Sequence, residues 1–183
     1  MCISDRLAEI FKIFIVFVTY INKAKILYYN ISMEKNLNIL IINGPNLNML
    51  GVREPEQYGS KSYKDLEMEL YEYSFELGIN IEIFQSNFEG EIVEKIQYAL
   101  GNFDGIILNA GAFTHTSIAI RDALTSVKIP TVEIHISNIY KREEFRHNSM
   151  FADVCVGQIT GFKIDSYKLG LQGLVNFLTS AND

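Results

Sequence analysis

Residues 103–137 read FDGIILNAGAFTHTSIAIRDALTSVKIPTVEIHIS. The first seven form an apolar run that ends in Asn109, as a buried strand does. Residues 114–127 carry apolar side chains at helical spacing, and Thr114 has the chemistry of an N-cap. Residues 130–137 read as a second strand. A strand, a helix and a strand joined by short links make a right-handed crossover between parallel neighbours. The same alternation extends in both directions. Upstream lie a strand at 37–43 (LNILIIN), a helix at 62–78 and a strand at 79–86. A helix at 87–101 follows, with Asn87 as its N-cap and Gly101 at its end. Gly78 suits the C-terminal cap of the 62–78 helix. Downstream, KREEFRHNS (141–149) reads as short helix or irregular chain, DVCVGQIT (153–160) as a last strand and residues 166–178 as a closing helix. Five strands alternating with helices predict an α/β fold: a flavodoxin-like three-layer sandwich around a five-stranded parallel sheet.

The chain has 183 residues and a formal net charge of −6, so attraction to nucleic acid or to an anionic membrane is not expected. Cys2 and Cys155 are the only cysteines, and His115, His135 and His147 the only histidines. Neither set has disulfide-framework or metal-ligand spacing, so no metal is expected and a reducing, cytoplasmic setting is the simplest inference. Residues 36–183 read as a single catalytic domain. Residues 1–35 read as an N-terminal extension. Three readings of it stand: an upstream or dispensable start ahead of Met33, an added structural helix, or a targeting or membrane segment. The apolar run Ile10–Val18 is interrupted by Lys12 and falls short of the roughly 20 residues a membrane span needs.

A doubly wound sheet binds ligands beyond the carboxyl ends of its strands, where strand order reverses. Polar residues gather there. The first strand ends in Asn43–Asn46, the third in Asn109 and the fourth in His135 and Ser137. On the fourth strand, period two puts Thr131, Glu133 and His135 on one face. A buried Glu–His pair fixes the imidazole, an arrangement suited to a general acid and also to a structural pair at the sheet rim. The loop NGPNLNMLGVREPEQYG (43–59) carries Arg53 and Tyr58. A cation beside a tyrosine brings the tyrosinate within reach near neutral pH; a solvated Arg and a packing Tyr are the plainer reading. Gly111 and the Thr114–Ser117 cluster offer hydroxyls, an imidazole and N–H groups to a polar ligand, or simple capping. His115 and Asp122 are expected to share a helical face. Arg142 or Arg146 could clamp a carboxylate, or belong to a solvated face. Dinucleotide and P-loop signatures and the nucleophile elbow are absent from the sequence.

Together, the blocks NGPNLNMLG, REPEQYG, QSNFEGEIVEKIQ, ILNAGAFTHTSIAIRDAL, VEIHISNIYKREEFRHNS and VGQITGF resemble type II 3-dehydroquinate dehydratases, in that family's order. The resemblance covers about 37–177. It implies a hydro-lyase that converts 3-dehydroquinate to 3-dehydroshikimate in the shikimate pathway of aromatic amino acid and chorismate biosynthesis. It further implies anti elimination through an enolate, no cofactor, and a dodecamer built from trimers. By position in the motifs, Tyr58 looks like the proton acceptor, His135 the donor, and Arg53 the group that stabilises the tyrosinate. Asn46 resembles the residue that holds a water at the enolate oxygen, and Glu133 the one that orients His135. Asn109, His115 and Arg146 look like ligands to substrate hydroxyls. Ile136 and Ser137 resemble the carboxylate cradle, and Asp122 a contact to a neighbouring subunit's site. Lys163 departs from the pattern, standing where the family often has a second Gly after Gly161. A flavin- or nucleotide-binding module and an inactive relative are the competing readings.

Overall fold

The computed structural model of the chain describes residues 36–52 and 61–180, all but Asn36 within one unit, residues 37–183. The expected extension, Arg53 and Tyr58 lie outside the described residues. Five strands, β1 (Asn38–Asn43), β2 (Asn80–Gln85), β3 (Gly105–Asn109), β4 (Thr131–His135) and β5 (Gly157–Thr160), form one parallel sheet. Its order is β2-β1-β3-β4-β5. The order reverses between β1 and β3, the gap that the sequence pattern singles out.

Four helices cover the sheet: α1 (Tyr63–Leu77), α2 (Glu89–Tyr98), α3 (Ile118–Val127) and α4 (Asp165–Ser180). Strand periodicity decides which helix meets which face. Ile39 and Ile41 of β1 and Ile134 of β4 pack with Leu66, Leu70, Leu171 and Leu174 of α1 and α4. Leu40 and Ile42 pack on the other side with Ile92, Ile96, Ile120 and Leu124 of α2 and α3. The central strands are buried on both faces, which is why they read as unbroken apolar runs. α4 lies tight against the sheet at Gly170, where a Cβ would come within 2.9 Å of Ile134 Cγ2.

The caps show where local chemistry differs from its sequence-level reading. Ser62 and Asp65 form a capping box on α1, and Gly78 closes that helix at φ 66°. Asn87 does not cap α2. Phe88 holds the N-cap position, and the Asn87 side chain instead accepts from the Asn46 N–H. Thr114 does not open α3. The chain first makes a 3-10 turn, Gly111–His115, and Ser117 caps the helix by accepting from Ile120 N at 2.9 Å. His115 and Asp122 therefore do not share a helical face. Residues 141–149 contain 3-10 turns, and β5 begins only at Gly157, because Ala152–Val154 forms another turn. Lys163 sits at φ 53°, in the left-handed region, and its N–H bonds Ile136 O at 2.9 Å. A side chain in that region costs roughly 1–2 kcal/mol, against about 0.5–1 kcal/mol of extra chain entropy for Gly. Lys163→Gly is therefore expected to raise stability by about 0.5–1 kcal/mol, read as a higher urea midpoint at unchanged slope.

Candidate active site

The tips of β1 and β3 are in register, so that Asn43 lies beside Asn109. Both amides are buried, and both point to the α1–α4 face. Each needs partners there, because an unpaired buried amide is costly. Tyr167, fully buried on α4, supplies them: its hydroxyl donates to Asn43 Oδ1 at 2.5 Å and accepts from Asn109 Nδ2 at 2.9 Å. Asn43 Nδ2 donates to Tyr63 Oη at 3.3 Å. Burial pushes the Tyr63 phenol up to about 12 and raises Tyr167 well above the usual tyrosine range. Both remain protonated at neutral pH, so neither supplies a tyrosinate. With Nδ2 held by Tyr167, the Asn109 amide has a fixed orientation at the cleft wall.

The chain leaves β1 through Gly44, whose N–H continues the ladder to Asn109 O at 2.7 Å. A Cβ at Gly44 would lie 2.3 Å from Ala110 O, so only glycine lets the two tips approach this closely. Asn46 follows at φ 67°. Asn tolerates the left-handed region better than most residues. Its N–H is held by Asn87 Oδ1 at 2.9 Å, and Gln85 steadies the same loop by donating to Gly44 O at 3.2 Å.

β4 contributes Glu133 and His135 to the opposite face of the sheet. His135 Nε2 donates to Glu133 Oε1 at 2.6 Å, and both side chains are almost wholly buried. A carboxylate only accepts, so in this pairing Nε2 carries the proton and Nδ1 takes no part. His115 lies beside it, with ring centroids 6.4 Å apart and planes 15° from parallel. His115 Nδ1 donates to the Asn148 carbonyl at 2.8 Å. Burial, opposed by that hydrogen bond, holds the His115 imidazole below its ordinary value. His115 is therefore neutral at pH 7, with Nε2 an acceptor.

These groups surround one cavity of about 180 Å³ beyond the strand tips. Asn46, Asn109, His115, His135, Ile136 and Ser137 line it, as do Arg142 and Arg146. Glu133 stands behind His135, out of the lining. Asp122 is exposed on α3 and does not reach this cavity. Glu143 bridges the two arginines, 2.9 Å from Arg146 Nε and 3.4 Å from Arg142 Nε. Burial pushes the Cys155 thiol up to about 12, which disfavours the thiolate at neutral pH. Among the described residues no cluster of three or more His, Cys, Asp or Glu could hold a metal ion, and no helix is long and apolar enough to cross a membrane. Sequence reasoning missed Tyr167, Ser149 and Gln158. A tyrosine in the apolar stripe of α4 was the available signal for the first, because a buried hydroxyl needs a partner.

Comparison with known proteins identifies the family. The family model described as dehydroquinase class II matches residues 37–175. The 3-dehydroquinate dehydratase of Prochlorococcus marinus subsp. pastoris is 58% identical over 146 residues, covering 80% of this chain and 100% of that protein. The crystal structure of type II dehydroquinase from Butyrivibrio crossotus superposes with a TM-score of 0.75 at 49% identity, over 76% of this chain and 98% of the other. The type II dehydroquinase of Propionibacterium acnes gives 0.73 at 39% identity, over 79% and 99%.

Two outcomes follow from the geometry. Tyr167→Phe leaves Asn43 Oδ1 and Asn109 Nδ2 without their partner and is expected to cost about 1–3 kcal/mol in urea unfolding. The second concerns pH. The folded His115 binds its proton less readily than the unfolded chain does, so the unfolded state takes up more protons below the ordinary histidine value near 6.5. Its effect on stability is absent above that pH and grows as pH falls below it. Wild type is thus expected to lose more stability between pH 7 and pH 5 than His115→Asn, which keeps a donor for Asn148 O.

Proposed function

The chain belongs to the class II dehydroquinase family and is a hydro-lyase that dehydrates 3-dehydroquinate in the shikimate pathway, and we propose that it does so by anti elimination through an enolate. The observation that carries the mechanistic reading is the meeting of His135, braced by Glu133, with Asn46, Asn109, His115 and Arg146 around one cavity.

In this reading Tyr58, as tyrosinate, removes the proton alpha to the ketone, and Arg53 stabilises the tyrosinate and the transition state. What supports this assignment is the place of Arg53 and Tyr58 in the loop that follows β1, whose described part lines the cavity at Asn46, Leu47, Met49 and Leu50. A water held by Asn46 meets the enolate oxygen. His135 then gives its Nδ1 proton to the C1 hydroxyl, which leaves as water. Tyr58 returns its proton to solvent, and His135 is reprotonated, so the cycle balances. Asn109, His115 and Arg146 bind the substrate hydroxyls. The backbone at Ile136 and Ser137, with the Ser137 hydroxyl, takes the carboxylate. No cofactor is needed, because each proton has a protein acceptor or donor.

The same reading treats residues 36–183 as the catalytic domain and the enzyme as a cytoplasmic member of aromatic amino acid biosynthesis. It also takes the active form to be a dodecamer of trimers, with Asp122 reaching a neighbouring subunit's site.

The test follows the ultraviolet absorbance of the enone product formed from 3-dehydroquinate. Wild type is expected to be active. Tyr58→Phe and His135→Ala are each expected to lower kcat by about 10²–10⁴-fold, the usual contribution of a positioned acid or base. Undiminished activity in both variants would reject the assigned roles.

A further inference from the structure

The Glu133 carboxylate is fully buried and receives three hydrogen bonds. His135 Nε2 and Gln158 Nε2 donate to Oε1, at 2.6 and 2.8 Å. Ser149 Oγ donates to Oε2 at 2.8 Å. The direction of the Ser149 bond is fixed by its other contacts. Phe151 N and Ala152 N both donate to the same Oγ, at 3.3 and 3.1 Å. Those N–H groups occupy the lone pairs, so the hydroxyl hydrogen is left for Glu133. Gln158 is the register partner of Glu133 across β4 and β5, which puts its amide on the same face. Three separate parts of the chain thus converge on one carboxylate.

Resting on the reading of His135 as proton donor, we propose that Ser149 and Gln158 are positioning residues for that step, holding Glu133 in the plane that orients the imidazole. Neither touches the cavity. A buried carboxylate survives as an ion when several donors replace its lost hydration. The three bonds fix the plane of the carboxylate, and Oε1 in turn fixes the Nε2 side of the imidazole. With a donor removed, the carboxylate is free to turn, and the ring loses the fixed partner that sets its angle. Substrate binding runs through other residues, so the loss falls on chemistry rather than on affinity.

The experiment measures kcat, KM and thermal stability of the full chain for Ser149→Ala, Ser149→Thr and Gln158→Met, with His135→Ala as reference. Ser149→Ala and Gln158→Met are expected to lower kcat about 10- to 100-fold, the size of one lost hydrogen bond to a charged group, with KM within about 3-fold of wild type. Ser149→Thr, which keeps the hydroxyl, restores kcat to within about 3-fold of wild type. If Ser149→Ala disturbs the turn that Ser149 also caps, Gln158→Met carries the test, since its amide makes no capping bond. Folded Gln158→Met with wild-type kcat, beside an inactive His135→Ala, overturns the proposal and leaves the assigned reaction standing. A rise in KM at unchanged kcat also overturns it. An active His135→Ala overturns both this proposal and the donor assignment on which it rests.

Discussion

The hydroxyl of Tyr167 joins the tips of two strands at the point where the sheet changes direction. Asn43 and Asn109 lie side by side there, buried beneath the cavity, and neither amide can be satisfied by the strand ladder alone. One phenol donates to the first and accepts from the second. The arrangement needs α4 close to the sheet, which Gly170 allows, and needs the strand tips close together, which Gly44 allows. The cavity forms where it does because polar groups at a switch point must be paired from below, so that their remaining capacity faces the ligand side.

Two histidines in this cavity, nearly parallel and 6.4 Å apart, have different electrical surroundings. His135 meets a carboxylate and His115 a backbone carbonyl. The first partner is a carboxyl group with an oxygen 2.6 Å from Nε2. The second offers only a dipole, and burial outweighs it. One ring is thereby suited to proton transfer and the other to accepting a hydrogen bond. Residue type alone does not assign those roles; the partner of the second ring nitrogen does.

The layer order and the faces of β4 were legible because period-two and helical patterns are properties of the chain itself. The predicted faces of β4, with Thr131, Glu133 and His135 on one side, are the observed ones. The capping of α2 and α3 was misread because a capping residue is identified by which N–H it meets, and that depends on neighbours. Asn87 is drawn to the Asn46 loop, and the 3-10 turn at Gly111–His115 hands the cap to Ser117. Tyr167, Ser149 and Gln158 were missed for a related reason. Each bonds a partner 16 or more residues away, and of the three only Tyr167, a hydroxyl in an apolar helix stripe, carried a local signal. Lys163 is the reverse case. Its departure from the family pattern was plain in the sequence, and the left-handed backbone explains why glycine suits that position.

A net charge of −6 sits uneasily with a carboxylate substrate until distance is considered. Exposed charges farther apart than a Debye length, about 8–10 Å at physiological salt, are largely screened from one another. What an entering anion meets at contact range is Arg142, Arg146 and the donors at the ends of β4. Glu143 pairs with both arginines, and this reduces their combined charge while fixing where they stand. Holding a guanidinium in place limits the entropy lost when it binds, so fixed geometry offsets part of the lost field. The surface charge acts at longer range, on encounter, whereas the groups lining the cavity act at contact range. In the proposed reading an acidic chain binds an acid because Arg142 and Arg146 stand beside the cavity and Glu143 holds them there.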